Sequence, residues 1–443
     1  MNLGDALAWL DRHQDLERIL ADRRLQTPNP DRMRRLAHLI GDPQNAQPVV
    51  HLTGTNGKTS TARALSQLFT SSGLKVGTFT SPHLEKINER IMVGLEPVSD
   101  EDLGEVLSDL AGLETLMGEV GRPTWFEILT AAAFRYFADR PVDVAVVEVG
   151  MGGRWDATNI ADGAVSIVTN VALDHTELLG PTREHIAGEK AGIVKPGATL
   201  VLGETDPALY PIFESEGPGT IWLAGRDFAV DSNAVAVGGR LLDLQTPGDR
   251  YEGVYLDLHG RYQADNFLDA LVGAEAFFGG PLDHEIVAEA AATTSSPGRL
   301  EVVAQRPVVV LDGAKNVAGA QASAAAIDEE FGAERSRLMV VGMLAGKDPV
   351  EMLSALEAPK ARLVVTCPPP SPRAQSAEVV ADAARSLGCR AVASGSVVEA
   401  LELALGEARP EELVLVTGSL YVVGAARAIL LGHPGLAPSA RLN

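Results

Sequence analysis

The residues best suited to chemistry open the segment Gly54-Thr55-Asn56-Gly57-Lys58-Thr59. An apolar run through Val49 and Val50 enters this turn. A helical pattern leaves it, with Ala62, Leu65, Leu68 and Phe69 on one face and Gly73 as a stop. A strand, a glycine turn and a helix in that order point backbone N–H groups and the positive helix end at an anion. Lys58 adds a point charge, and the Thr59 hydroxyl can reach Mg²⁺. Leu52 stands where the first glycine of G-x-x-x-x-G-K-[ST] belongs, so spacing alone also allows an ordinary strand-turn-helix.

Further reactive groups sit just past other apolar runs. Val142 to Val149 is nearly all β-branched, which suits a strand buried on both faces, and it carries one acid, Glu148. A buried carboxylate needs a cation, a hydrogen-bond donor or a proton. The polar loop Gly150 to Asn159 follows, then a strand from Ala164 to Thr169, then Asp174 and His175. Ser81-Pro82-His83 lies just beyond a strand from Leu74 to Thr80, where open α/β sheets place ligands; alone it reads equally as a turn. Thr59, Glu148 and His175 thus converge on one sheet edge, and oxygen ligands with one imidazole suit Mg²⁺ beside phosphates. In a helix begun by Thr182, Lys190 falls on the apolar face with Ile186, Ala187, Ala191 and Val194. Two readings follow: a lysine that snorkels to solvent, or a buried one whose charged form is disfavoured.

These residues need two alternating frameworks to hold them. Two helices, near Leu7–Leu20 and Pro30–Ile40, precede the first strand; residues 100–118 look helical and surface-like, and an apolar helix spans Ile128–Phe137. Residues 198–260 turn β-rich, with strands at Ala234–Leu244 and Gly253–His259 and a turn at Pro247-Gly248-Asp249. A helix runs from Tyr262 to Phe278, its first residues too polar to be packed throughout. After the break Thr293 to Gly298 the alternation restarts with strands at Val308–Leu311, Leu338–Val341, Leu363–Thr366, Ala391–Ala393 and Leu413–Thr417. This gives two α/β domains, 1–296 and 297–443, the second a doubly wound sheet with Asp312 to Asn316 at the end of its first strand.

A chain of 443 residues accommodates two or three cores. Its formal net charge of -22 argues against non-specific nucleic-acid binding and requires local Lys and Arg for anionic ligands. Two cysteines, Cys367 and Cys389, make no disulfide framework and fit a reducing cytoplasm. No signal peptide and no apolar run of bilayer-spanning length is evident, so neither membrane nor nucleic-acid partners are expected.

Taken together, the motifs resemble the Mur ligase superfamily and, within it, folylpolyglutamate synthase and dihydrofolate synthase. The resemblance runs through Thr53–Ser60, Thr80–Leu84, Glu148–Asn159, Leu173–Ile193, Gly260–Asn266, Pro297–Glu301, Asp312–Asn316 and Thr417–Gly424. It implies an N-terminal P-loop-containing ATPase domain with a small β-rich extension, and a C-terminal Rossmann-like domain. It also implies an ADP-forming ligase that joins L-glutamate to dihydropteroate or a reduced folate through an acyl phosphate, by alignment and charge neutralisation. By motif, Gly54, Thr55, Asn56, Gly57, Lys58 and Thr59 would cradle ATP, with Asn266, Arg299, Asp312 and Lys315 as further contacts. Thr59, Ser81, Glu148 and His175 would hold two Mg²⁺ ions, Lys58, Glu148, His175 and Lys190 being the catalytic set. Lys190 matches a lysine that the family carbamylates. His83, Phe126, Glu127, Arg154 and Asp156 would form the folate side, Leu16 to Ile19 resembles an N-terminal pterin contact, and the family implies a monomer.

Three departures stand out. The loop reads Gly-Lys-Thr-Ser where folate members usually have Gly-Lys-Gly-Ser. Lys315 replaces the usual His, with Val317 for Pro, and Leu16-Glu17-Arg18 lacks a common glycine. A charged lysine accepts no hydrogen bond, but it adds positive charge near phosphate or glutamate carboxylates. Two other functions stay open: another Mur-type amino-acid ligase, or a catalytically impaired nucleotide-binding homologue. Against the first, only about 50 residues precede the phosphate loop, too few for a separate UDP-binding domain.

Overall fold

The computed structural model describes residues 1–15, 29–332 and 336–432. Leu16 to Ile19 therefore lies outside the described residues. The chain forms two compact units. The first comprises Met1–Ala234, Leu241–Asp257 and Gln263–Ser295; the second takes Val235–Arg240, Leu258–Tyr262 and the chain from Ser296.

The first unit is built on an eight-stranded sheet: β1 (Val49–Thr53), β2 (Val76–Phe79), β3 (Ile91–Val93), β4 (Glu96–Pro97), β5 (Val144–Glu148), β6 (Gly163–Val168), β7 (Thr199–Leu202) and β8 (Thr220–Leu223). Their order is β4-β3-β2-β5-β1-β6-β7-β8. β1 and β5 are buried throughout, as expected of parallel strands covered on both faces. β1 lies between β5 and β6, with Leu52 opposite both Glu148 and Ile167; β2 pairs in parallel with β5, Phe79 opposite Val147. Parallel pairing in this register brings the loops after β1, β2, β5 and β6 out at one edge. At one end of the sheet β3 and β4 pair antiparallel and are too short for periodicity to reveal.

Helices α1 (Leu3–Leu10), α2 (Pro30–Leu39), α3 (Lys58–Ser71), α4 (Asp100–Leu113), α5 (Trp125–Asp139), α6 (Thr176–Leu179), α7 (Arg183–Ala191) and α8 (Tyr210–Glu214) surround this sheet, with α9 (Tyr262–Phe278) and α10 (His284–Thr293) following later. The first helix stops at Leu10, well short of Leu20. The stretch 100–118 is not a surface helix either. α4 buries Leu103, Val106, Leu107 and Leu110, and a 3-10 stretch replaces it from Glu114. α5 buries Trp125, Ile128, Leu129, Phe134 and Phe137 in the same core, each worth roughly 1.5–3 kcal/mol.

A three-stranded sheet, ordered β11-β10-β9, comes from β9 (Ala229–Ala236), β10 (Gly239–Gln245) and β11 (Arg250–Leu256). The single strand expected over Ala234–Leu244 is instead a hairpin. Val237 is almost wholly exposed and Gly238 has φ 80°, so the alternation continues across a tight reversal. The start of α9 is packed only in part, as its polarity implies: Gln263 and Asn266 are 0% and 6% exposed, while Arg261 and Asp265 face outward. Helix α10, rich in alanine, gave no strong period and was not anticipated.

In the second unit, β12 (Glu301–Gln305), β13 (Val308–Leu311), β14 (Arg337–Val341), β15 (Ala361–Thr366), β16 (Ala391–Ala393) and β17 (Leu413–Thr417) form a sheet ordered β12-β13-β17-β14-β15-β16. All pairs are parallel except β12–β13. Helices α11 (Val317–Phe331), α12 (Pro349–Ala355), α13 (Ala377–Ser386), α14 (Val397–Glu407) and α15 (Leu420–Gly432) alternate with the strands. Arg240, with no side-chain exposure, pairs here with Glu329 at 3.1 Å and with Glu330. Glu330 also accepts from the Gly260 N–H and meets His259 Nδ1, both at 2.7 Å. No helix among the described residues is long and apolar enough to cross a membrane.

One buried ion pair is a strong stability determinant. The Arg32 guanidinium grips Glu127 with Nε at 2.7 Å and Nη2 at 2.9 Å, while Glu127 and Thr124 form the capping box of α5. Glu127→Ala removes a cap and leaves Arg32 buried without its carboxylate, so urea unfolding of the first unit should show a loss of about 3–5 kcal/mol. Arg32→Met/Glu127→Leu should recover most of it; a double variant as unstable as the single one contradicts this account.

Candidate active site

The turn after β1 is held by the strip after β6. Thr55 N–H donates to the Asn170 carbonyl at 3.0 Å, Asn56 N–H to Asn170 Oδ1 at 3.1 Å, and Thr169 Oγ1 to the Asn56 carbonyl at 2.7 Å. Gly57 precedes α3 with φ 86° and, lacking a side chain, provides no cap of its own, so the positive end of a 14-residue helix opens on this turn. Only glycine fits there: a Cβ would meet Asn266 Oδ1 at 2.1 Å. Lys58 folds back over the turn, its Nζ 3.0 Å from the Gly54 carbonyl and 3.5 Å from that of Thr55. This is a cradle of donors around a small space, and it fits a polyphosphate.

Beside it lies a buried carboxylate. Thr59 Oγ1 is 3.0 and 3.1 Å from the two oxygens of Glu148, and the Ser81 N–H donates to Glu148 Oε2 at 3.1 Å. Glu148 is 1% exposed. β1, β2 and β5 thus deliver Thr59, Ser81 and Glu148 to one point. His175 stands on the loop after β6 in a left-handed conformation, φ 50°, its Nε2 3.9 Å from Asp174 Oδ2. Among the described residues no three His, Cys, Asp or Glu side chains gather as a metal cage. One carboxylate with the Thr59 hydroxyl beside it fits Mg²⁺, which completes its shell with phosphate oxygens and water.

Lys190 is 3% exposed among Ile186, Ala187 and Ala191, which removes the snorkelling alternative. The loop after β5 lies directly on its helix: Arg154 N–H donates to the Glu189 carbonyl at 2.8 Å, and a Cβ on Gly153 would meet that carbonyl at 2.6 Å. Arg154 itself is half-exposed and pairs with Glu216. Asp156 accepts from the N–H groups of Met151 at 2.9 Å and Thr158 at 3.0 Å, and from Thr158 Oγ1 at 2.6 Å. Burial pushes its carboxyl upward against those hydrogen bonds. Phe126 packs under Gly150 and 5.8 Å from Phe79.

In the second unit Asp312 accepts from the N–H groups of Leu300 at 3.1 Å and Ala314 at 3.2 Å, and Arg299 Nη1 donates to the Gly313 carbonyl at 3.1 Å. Burial raises the Asp312 carboxyl, partly offset by the charge of Arg299. Tyr262, partly buried against the core of this unit, has its phenol raised above the ordinary range by desolvation and then by the charge of Asp312. Lys315 lies just before Asn316, the cap of α11.

Sequence reasoning passed over His51, whose only signal was a lone imidazole inside a β-branched strand. Thr158 donates its one hydroxyl proton to Asp156, so it accepts from His51 Nε2 at 2.9 Å; the proton is on Nε2, and Nδ1 is buried without a partner. Burial, then the charge of Lys195, lowers this imidazole to about 3. The folded state therefore rejects a proton that the unfolded state takes up below about 6.5. Stability is complete above that pH and falls as pH drops toward 3. Between pH 7.5 and 5.0 the chain should lose about 2 kcal/mol that His51→Gln retains, measured by urea unfolding. Identical pH slopes for the two proteins rule out this role.

Residues 52–274 match the Mur ligase middle domain, and residues 298–420 match the Mur ligase glutamate ligase domain. The chain is 37% identical to the dihydrofolate synthase/folylpolyglutamate synthase of Mycobacterium tuberculosis, over 92% of this chain and 91% of that protein. It is 34% identical to the folylpolyglutamate synthase of Lacticaseibacillus casei, over 98% and 99%. The structure of the Mycobacterium tuberculosis folylpolyglutamate synthase complexed with ADP and AMPPCP superposes with a TM-score of 0.88 at 36% identity, covering 97% of this chain and 98% of that one.

Proposed function

This chain belongs to the Mur ligase superfamily and, within it, to the folylpolyglutamate synthase/dihydrofolate synthase family, and we propose that it joins L-glutamate to a folate-type carboxylate at the expense of ATP. The observation that carries this reading is the union of the phosphate cradle with Thr59, Ser81 and Glu148 at one sheet edge. Dihydropteroate, a reduced folate or both serve as acceptor. We assign residues 1–296 to ATP and the folate, and 297–443 to glutamate ligation by a monomer in the cytoplasm.

The substrate carboxylate attacks the γ-phosphorus of ATP, and ADP leaves with the bridging oxygen. The glutamate amine then attacks the acyl carbon, and phosphate departs as the amine gives up its proton. The chain contributes alignment and charge. The first N–H groups of α3 and Lys58 face the phosphates, while Asn266 closes the back of the turn at Gly57. In the second unit, Arg299, Asp312 and Lys315 are assigned as nucleotide-binding residues on the resemblance, Lys315 adding a positive charge. Thr59, Ser81, Glu148 and His175 would hold Mg²⁺, which screens the phosphate charges when bound. Phe126, Arg154, Asp156 and His83 form the folate side; Glu127 supports it through Arg32 and the cap of α5.

Lys190 is assigned as a carbamate. The ammonium first gives up one proton, and the neutral amine then adds to CO₂ with loss of a second, so that a carbamate anion replaces a buried cation. The burial of the side chain beside the 150–159 loop supports this. Lys190→Ala should lose ligase activity at least about a hundredfold, with partial recovery on adding short carboxylates. Full activity in that variant excludes the carbamate.

The function is tested by measuring phosphate release from ATP with Mg²⁺ and either dihydropteroate or tetrahydrofolate, with and without L-glutamate. Release that needs both acceptor and glutamate, with a product heavier by one glutamyl residue in mass spectrometry, is expected. Release only with a UDP-muramyl acceptor, or nucleotide binding without turnover, overturns the reading.

A further inference from the structure

Thr55, in the turn before α3, is held by two consecutive peptide groups of the strip after β6. Its N–H donates to the Asn170 carbonyl at 3.0 Å. Its hydroxyl accepts the Ala172 N–H at 3.0 Å and donates to the Ala172 carbonyl at 3.1 Å. A trans peptide group turns its carbonyl and its N–H to opposite edges. The Asn170 carbonyl shares its group with the Val171 N–H, and the Ala172 N–H shares its group with the Val171 carbonyl. Both far edges end on one ion pair. Glu204 Oε2 accepts the Val171 N–H at 2.8 Å, and Arg183 Nε–H donates to the Val171 carbonyl at 2.9 Å. Arg183 Nη2 meets Glu204 Oε1 at 2.9 Å. No sequence motif singled out either residue.

The pair is itself fixed from both α7 and β7. Arg183 is the first residue of α7, and its Nη1 also holds Asp206 at 2.7 Å. Glu204 is buried, and its Oε1 accepts the Asp206 N–H at 2.9 Å as well. It stands just beyond β7, whose ladder with β6 continues through the Gly203 N–H to the Val168 carbonyl at 2.8 Å. A Cβ on Gly203 would meet the Thr169 carbonyl at 2.5 Å, so the chain passes close enough to set Glu204 against Val171. Hydrogen bonds to charged groups are roughly twice as strong as neutral ones, and they polarise the peptide groups they bind. Each of these two peptide groups is thereby kept from rotating away from Thr55. We propose that Arg183 and Glu204 are positioning residues for the phosphate turn, acting through the two peptide groups around Val171, and that they thereby set the affinity for the nucleotide. This deepens the ligase reading and rests on it for the identity of the ligand.

Two measurements on the full chain test it. In hydrogen exchange read by mass spectrometry without nucleotide, Glu204→Leu should speed exchange of segments 53–58 and 169–173 about tenfold, with α5 at its wild-type rate. Wild-type exchange in 53–58 overturns the proposal, as does an acceleration shared equally by α5, the mark of general destabilisation. In steady-state kinetics the same variant should raise KM for ATP about tenfold, with KM for the folate acceptor and for glutamate within about twofold. Calorimetric titration with ADP should show a matching loss of affinity. An unchanged KM for ATP, or an equal rise for all three substrates, overturns the proposal. Glu204→Gln keeps one acceptor oxygen but not the charge, and should move both readouts in the same direction by about threefold; should the leucine variant not fold, the glutamine variant decides. A wild-type protein that binds no ADP defeats the nucleotide reading of the turn instead, and the exchange rates alone then decide whether the ion pair positions it.

Discussion

A carboxylate at the end of a strand buried on both faces has to be met by donors, and much of the first unit can be understood from that need. Glu148 receives the Thr59 hydroxyl from the start of α3 and the Ser81 N–H from the loop after β2. Both donors are available only because β5 runs between β1 and β2 in the observed register. A slip of one residue would turn Glu148 to the other face of the sheet and leave it in an apolar core. The requirement that satisfies the carboxylate also brings the glycine turn before α3, the Thr59 hydroxyl and the loop after β5 to the same edge.

How far this was legible in the sequence depended on periodicity. β1, β5 and β6, and the parallel strands of the second unit, announce themselves as short β-branched runs. The amphipathic stripe of α7 placed Lys190 on the packed face but left snorkelling and burial both open, and only the 3% exposure in the fold separates them. Strands β3 and β4 were illegible because two or three residues cannot establish a period of two. The hairpin at Gly238 was hidden because alternation continued through the reversal. Helix α10 was hidden for another reason: its alanines lack contrast between faces.

Roles set by partners distant in sequence were equally invisible. Glu127 reads as a polar residue at a helix start, and only the fold shows it gripped by Arg32, 95 positions away. Likewise, Gly57 reads as turn chemistry, but its strict requirement comes from Asn266 in α9. Resemblance supplied the names of such residues; contact geometry supplied the reasons.

The second unit is discontinuous, since it recruits 235–240 and 258–262 from the middle of the chain. A fragment beginning at the break near Pro297 would therefore carry Glu330 without Arg240, His259 and the Gly260 N–H. The complementary fragment would expose a guanidinium that the intact chain hides completely. During synthesis those two short strips leave the ribosome well before the β-sheet that receives them exists. The boundary between the two family matches thus differs from the boundary between the compact units, and a gene split at that break would divide the ion pairs of the second unit between two products.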